Sequence, residues 1–388
     1  MKHEHIISFR LAQVKVLCQF VMAYFIALFY KRDDNIWVVS ERGVDARDNG
    51  YWFFRYLRTQ HPEIDAYYIL SKNSEDRERL NAYANHVVDF CSMAHYILLW
   101  RASFLVGAHV QGYFPFRGLG LWIKKVCPAY GKKRHICLKH GITCNYSPFL
   151  EYSNTQLDLI ISASQLENDY FITKYHYPQN KIGLTGLCRY DNLNQFKDKP
   201  QILLMPTWRE WLNKDEEIAE SEYVQKYSCL LNNPSLHQLL DEYGFTLVFY
   251  PHHEMQRYLD CFRNSQTSRI VIANKNNYDV QQLLKESRIL ITDYSSVFFD
   301  FAYLRKPVLF YQFDKERFRN EHYEEGWYSY ENGLGPVLQD QESLLDNVLA
   351  LLKGGCVMGQ KYSQYVDQLF AFRDANNCER VLNAIKEL

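Results

Sequence analysis

The sequence predicts an α/β protein built of two doubly wound, Rossmann-type domains in tandem. Two series of short apolar runs, and a polar break between them, carry that expectation. The first series is "IWVVS" (36–40), "AYYIL" (66–70), "HVVDF" (86–90), "FLVGA" (104–108), "HICLKHG" (135–141) and "LDLIISAS" (157–164). The second is "QILLMPTW" (201–208), "FTLVFYPH" (245–252), "RIVIA" (269–273), "ILITDYS" (289–295) and "PVLFYQ" (307–312). Continuous apolar strands separated by helical stretches such as "NGYWFFRYLRTQHPE" predict parallel sheets covered on both faces. The polar segment "NLNQFKDKP" (192–200), ending in Pro200, reads as the linker. A length of 388 residues, 47% of them hydrophobic, is enough for two cores.

At the N-terminus, Val16 to Phe29 is apolar except for Gln19 and is flanked by Lys15, Lys31 and Arg32. The stretch is short for a transmembrane span, and no small-residue cleavage site follows it. It reads either as a helix buried against the first domain or as a helix lying in a membrane face. The expected division is therefore a segment at 1–32, domains at 33–195 and 196–359, and a C-terminal helix at 360–388 crossing back to the first domain. The 44 Lys and Arg against 45 Asp and Glu leave the chain near neutrality, so a globally basic nucleic-acid binder is disfavoured. The ten cysteines form no Cys-x-x-Cys pair and no zinc spacing, which points to a reduced, cytosolic compartment. Cys18, Cys137 and Cys188 read as small core residues.

Doubly wound sheets bind ligands beyond the carboxyl ends of their strands. The polar residues there are His140, Thr207 with Arg209, His252 with His253, and Asp293 through Ser296. Ser295 is the expected N-cap of a helix running through Leu304, whose start would hold an anion beside the Ser295 and Ser296 hydroxyls. Asp300 falls one turn after Ser296 and would accept from a polyol hydroxyl, or else serve only inside a capped helix. Arg209 offers a planar fork to phosphate, or pairs with Glu210 at the surface. His252 would donate to a leaving phosphate, or is a satisfied loop histidine. His140, before Gly141, suits a general base, or is a core histidine. There is no Asp-x-Asp pair and no Walker A loop.

Five segments then resemble one family, the CDP-glycerol glycerophosphotransferases of teichoic acid and capsule synthesis. They are "HGIT" (140–143), "TGLCRYDNL" (185–193), "MPTWR" (205–209), the histidine of "YPHH" (250–253) and "ITDYSSVFFDFAYLRKPVLFY" (291–311). The motifs run in the family's order from His140 to Gly335–Pro336, and the first 130 residues match loosely. The resemblance implies a GT-B-like fold, its two domains facing a cleft, with an N-terminal amphipathic helix that attaches to the cytoplasmic face of the membrane. It implies catalytic roles for His140, as base toward the acceptor hydroxyl, and for His252, at the donor diphosphate. Arg209, Ser295 and Ser296 match donor-phosphate contacts, with Thr207 beside them, and Asp300 matches a residue at the donor's glycerol end. The implied partners are CDP-glycerol and a lipid-linked or polymeric polyol-phosphate or saccharide acceptor, with CMP released and no metal or cofactor required. Lys139 stands where the family's polymerases carry Trp, and Cys188 where proline is common. Those departures leave CDP-ribitol or a nucleotide sugar open as donor, and a non-catalytic binding scaffold as a further alternative.

Overall fold

The computed structural model describes residues 2–388 apart from Arg32, Arg117, 128–129, 213–217, 263–267 and Tyr323, and gives the backbone alone for 2–12 and Lys125. Arg32, one of the expected basic flanks, thus lies outside the described residues. The chain forms two compact units. One comprises Met1–His140, Pro148–Asp191 and Asp374–Leu388; the other comprises Gly141–Ser147 and Asn192–Arg373.

The first unit holds seven parallel strands: β1 (Ile36–Ser40), β2 (Asp65–Leu70), β3 (Val87–Asp89), β4 (Phe104–Gly107), β5 (Arg134–Cys137), β6 (Leu159–Ser162) and β7 (Ile182–Leu184). Their order is β3-β2-β1-β4-β5-β6-β7. β1 and β6 are buried at every position, as the unbroken apolar runs require of strands covered on both faces. The order reverses between β1 and β4, so the crevice at their carboxyl ends is the expected ligand position. β7, only "IGL", was not among the strands read from the sequence.

The N-terminal helix, Lys2–Ala27, packs in part against the first unit. Phe20 and Ala23 are buried in the core of the first unit, and Trp100 Nε1 donates to the Phe20 carbonyl at 2.8 Å. Burying a Phe side chain contributes roughly 1.5–3 kcal/mol. Val14, Val21, Met22 and Phe25 face outward on the same helix, and just beyond it Leu28 is exposed and Phe29 is 91% exposed. The helix is therefore apolar on two sides rather than amphipathic in the usual one-faced sense. Cys18 is exposed on it, unlike the buried Cys137 and Cys188, so its expected core position is corrected. No described helix is long and apolar enough to cross a membrane.

The second unit holds β8 (Gln201–Met205), β9 (Thr246–Phe249), β10 (Ile270–Ile272), β11 (Ile289–Thr292), β12 (Val308–Tyr311) and the two-residue β13 (Val337–Leu338). All are parallel, in the order β10-β9-β8-β11-β12-β13, which reverses between β8 and β11. Gly141–Ser147 belongs here: Trp327 Nε1 donates to the Thr143 carbonyl at 2.6 Å, and Asn145 bridges Glu325.

The C-terminal tail is two helices, not one. Gln360–Leu369 packs in the second unit and Asn377–Lys386 in the first. The Asp191 carboxylate accepts from the Asn377 and Cys378 N–H groups, both at 2.8 Å, and so caps the last helix. Gly186 is required beside it: φ is +80°, and a Cβ there would come within 1.9 Å of Asn377 Oδ1. Much of the "TGLCRYD" motif thus serves docking of the last helix.

Candidate active site

In the second unit, Met205 of β8 pairs with Thr292 of β11, so the residues after both strands emerge together at the switch point. Asp293 is their hub. Its Oδ1 accepts from the Thr207 N–H at 2.8 Å and the Tyr294 N–H at 2.6 Å. Its Oδ2 accepts from the Tyr227 hydroxyl at 3.2 Å and lies 2.9 Å from Arg209 Nη2. Arg209 is wholly buried. Nε donates to Asp314 Oδ2 at 2.6 Å, Nη2 to Asp314 Oδ1 at 3.1 Å, and Nη1 to the Thr207 carbonyl at 2.6 Å. Burial opposes its charge, but Asp293 and Asp314 more than offset that and hold its pKa well above the ordinary arginine range.

The structure therefore places Arg209 behind the turn and not at its surface. Each guanidinium nitrogen already donates inside the protein, so the expected direct phosphate contact is not what this geometry offers. Arg209 fixes the Thr207 and Asp293–Tyr294 backbones instead. Thr207 Oγ1 is buried with no hydrogen-bond partner among the described residues, which leaves one polar group at this strand end unspent.

Ser295 and Ser296 are half-buried and lead into the short helix Val297–Tyr303. The N-cap is Ser296, not Ser295, and its hydroxyl makes no capping bond. Its φ of −64° is already helical, so the side chain is not in the extended geometry that reaches back to N3. Asp300 is 1% exposed and lies between the buried Phe299 and Phe301 in sequence.

His252 follows β9, the sheet neighbour of β8, and its N–H donates to the Pro206 carbonyl at 3.2 Å. The Glu254 N–H points at His252 Nδ1 at 3.4 Å, favouring the tautomer with the proton on Nε2. His322 was not singled out from the sequence. Its Nδ1 accepts from the Glu210 N–H at 2.8 Å, and burial, with Arg209 near, pushes its pKa down to about 4.

His140 belongs to the first unit, three residues after β5. Its carbonyl accepts from Arg189 Nη1 at 2.8 Å, and the same nitrogen pairs with Asp48 Oδ1 at 2.6 Å. Asn49 joins the preceding residue to this clamp: Nδ2 donates to the Lys139 carbonyl at 2.8 Å, and Oδ1 accepts from the Arg189 N–H at 2.9 Å. Lys139, with φ +54°, forms a buried ion pair with Glu167. The His140 ring keeps solvent access, but the dense protein around it lowers its pKa. Burial is the main cause; Asp48 opposes it, while Arg189, Lys139 and Arg42 add to it. The imidazole is thus neutral and able to accept a proton near pH 7.

Asp48, Asn49 and Arg189, which hold the backbone at Lys139 and His140, were not singled out from the sequence. The signal for two of them was present, because "DNG" opens the helix Asn49–Gln60 with Asp48 as its cap. Glu41, after β1, was missed too. It accepts the N–H groups of Arg47, Asp48 and Tyr51, yet burial, with Asp48 adding, raises its pKa to about 8.

A family model described as "CDP-Glycerol:Poly(glycerophosphate) glycerophosphotransferase" matches residues 21–387. The minor teichoic acid biosynthesis protein GgaB of Bacillus subtilis (strain 168) is 31% identical over 369 residues, which are 91% of this chain and 40% of that protein. The teichoic acid poly(glycerol phosphate) polymerase of the same strain is 28% identical over 86% of this chain and 46% of its own length. The chain thus spans less than half of either relative. The teichoic acid ribitol-phosphate primase of Bacillus spizizenii (strain ATCC 23059 / NRRL B-14472 / W23) is 23% identical over 92% of both. Among solved structures, the wall teichoic acid polymerase TagF superposes with a TM-score of 0.67 at 16% identity, covering 100% of this chain and 99% of that one. The UDP complex of MnaA from S. aureus reaches 0.57 at 16% identity, covering 90% and 95%. At these identities the structural likeness is one of fold, an α/β arrangement of two parallel sheets.

Proposed function

We propose a function from one premise: the chain belongs to the CDP-glycerol:poly(glycerophosphate) glycerophosphotransferase family. It transfers glycerol phosphate from CDP-glycerol to a hydroxyl of a polyol-phosphate or saccharide acceptor in teichoic acid or related polymer synthesis. The first unit serves the acceptor and the second the donor. The observation that carries the reading is His140, a solvent-accessible, neutral imidazole whose backbone is clamped by Arg189 at a strand end.

His140 takes the proton of the acceptor hydroxyl as its oxygen attacks the β-phosphorus. The bond from that phosphorus to the bridging oxygen breaks, and CMP leaves with the electron pair. Charge on the phosphates is met by the Ser295 and Ser296 hydroxyls, the helix start behind them, and His252 Nε2–H. Thr207 Oγ1, buried without a hydrogen-bond partner among the described residues, is available to the same anion. Arg209 supports this wall from behind. Asp300 accepts from the glycerol hydroxyls.

The outward apolar stripe Val14, Val21, Met22, Phe25 and Leu28, with Phe29 and Lys15, rests on the cytoplasmic membrane face, where a lipid-linked acceptor would lie. Deleting the helix is a poor test, because Phe20 and Ala23 belong to the core. Phe25→Ser with Phe29→Ser leaves the core intact and should abolish co-sedimentation with phosphatidylglycerol vesicles. Unchanged sedimentation contradicts membrane contact.

A second donor, CDP-ribitol, is favoured by one finding, the match along 92% of both chains with the ribitol-phosphate primase. Incubation with CDP-glycerol, CDP-ribitol and nucleotide sugars, following CMP or UDP release, decides between them. Release from CDP-glycerol above all others supports the reading. Binding without release from any donor would leave a scaffold.

A further inference from the structure

A second histidine stands against His140 in the first unit. The rings of His109 and His140 lie 4.6 Å apart between centroids and 17° from parallel. We propose that His109 is a positioning residue for His140, its ring face fixing the plane in which the imidazole receives the acceptor proton. The inference rests on His140 being the base.

The backbone brings the two together. β4 and β5 are sheet neighbours with Gly107 paired to Cys137, and the Leu138 N–H donates to the Gly107 carbonyl at 2.7 Å. His109 and His140 follow these paired ends by two and three residues. The turn carrying His109 is pinned on its other side. The Ala108 N–H donates to the Ser40 carbonyl at 3.0 Å, and the Gly112 N–H to the His109 carbonyl at 3.0 Å. Gly112 presses so closely on β1's end that a Cβ there would come within 1.7 Å of the Glu41 carbonyl oxygen. The His109 ring is thus offered from a fixed platform.

The ring of a histidine turns in a broad torsional well, so rotamer preference alone does not set its plane. The Arg189 and Asn49 clamps act on the backbone and leave that torsion free. A parallel ring on one face restricts it. The same face suits the charge that develops. When His140 gains its proton it becomes an imidazolium, and a neutral π face beside it is favourable where a second cation would repel. His109 stays neutral: burial first, then His140 and Arg42, hold its pKa at about 2. No described hydrogen bond gives the His109 ring another task.

The test uses the full chain with CDP-glycerol and a glycerol phosphate-primed acceptor, measuring kcat and KM separately. His109→Asn keeps a polar group without a ring, His109→Phe keeps a ring face without nitrogens, and His109→Ala removes both. His109→Ala and His109→Asn should each lower kcat by on the order of 10–100-fold through misplacement of the base, with KM for CDP-glycerol within about twofold. His109→Phe should recover most of kcat. Unchanged kcat in His109→Asn, or a His109→Phe as slow as His109→Asn at equal thermal stability, overturns the inference. His140→Ala run in parallel separates the two readings. If it is inactive while the His109 variants are normal, only this inference falls; if it turns over normally, the base assignment falls, and the role of His109 with it.

Discussion

Each unit carries a buried arginine at the carboxyl ends of its strands, and the two are used differently. Arg209 is wholly enclosed between Asp293 and Asp314, and its bonds go to groups that hold a turn. Arg189 is also buried, but it pairs with Asp48, which is 23% exposed, and it donates to the backbone of His140. One hub is sealed and acts only through backbone. The other opens to solvent and adds to the lowering of the His140 pKa that burial mainly causes. The comparison teaches that an arginine at a strand end is not by itself a ligand contact. What its carboxylate partners leave unspent decides its role.

The largest effect that tests this contrast is on stability. Arg209→Met leaves two carboxylates buried without their cation and should cost about 3–5 kcal/mol, seen as an early denaturant transition of the second unit. A variant that stays stable but loses only donor affinity would move Arg209 back to the phosphate. Arg189→Met should cost less, about 1.5–3 kcal/mol, because Asp48 can hydrate. It should also shift the acid limb of the pH–rate profile to higher pH, since removing a neighbouring cation raises the His140 pKa. An unmoved limb would separate Arg189 from the base. The smallest effect is at the donor wall. Ser296→Ala should weaken both CMP and CDP-glycerol by about 1 kcal/mol, roughly fivefold, as one donor to phosphate is lost. Asp300→Asn should spare CMP and weaken CDP-glycerol. Equal losses for the two ligands would give Asp300 a purely structural role, which its burial also allows.

The strands were legible because parallel sheets bury both faces, and each short apolar run of the two series became one. β7 and β13 were not, because three and two residues make no run. His140, His252, Ser295 and Ser296 could be located because they sit beside strand ends in the local sequence. Their surroundings could not. Asp314 reaches Arg209 across 105 residues and Arg189 reaches Asp48 across 141, and local pattern carries no trace of such pairs. The cap falls on Ser296 and not Ser295, a one-residue difference that residue type alone does not resolve, since both are serines.

CMP release by His140→Ala beside the natural chain, with calorimetric binding of CMP to both, is the most direct measurement of the central claim. Release from CDP-glycerol should fall by roughly 10²–10⁴ while CMP binds equally well. In the natural chain, the rate should hold down to a pH below the ordinary imidazole range and then drop as His140 takes a proton, because burial lowers its pKa. Wild-type turnover in His140→Ala would contradict the account.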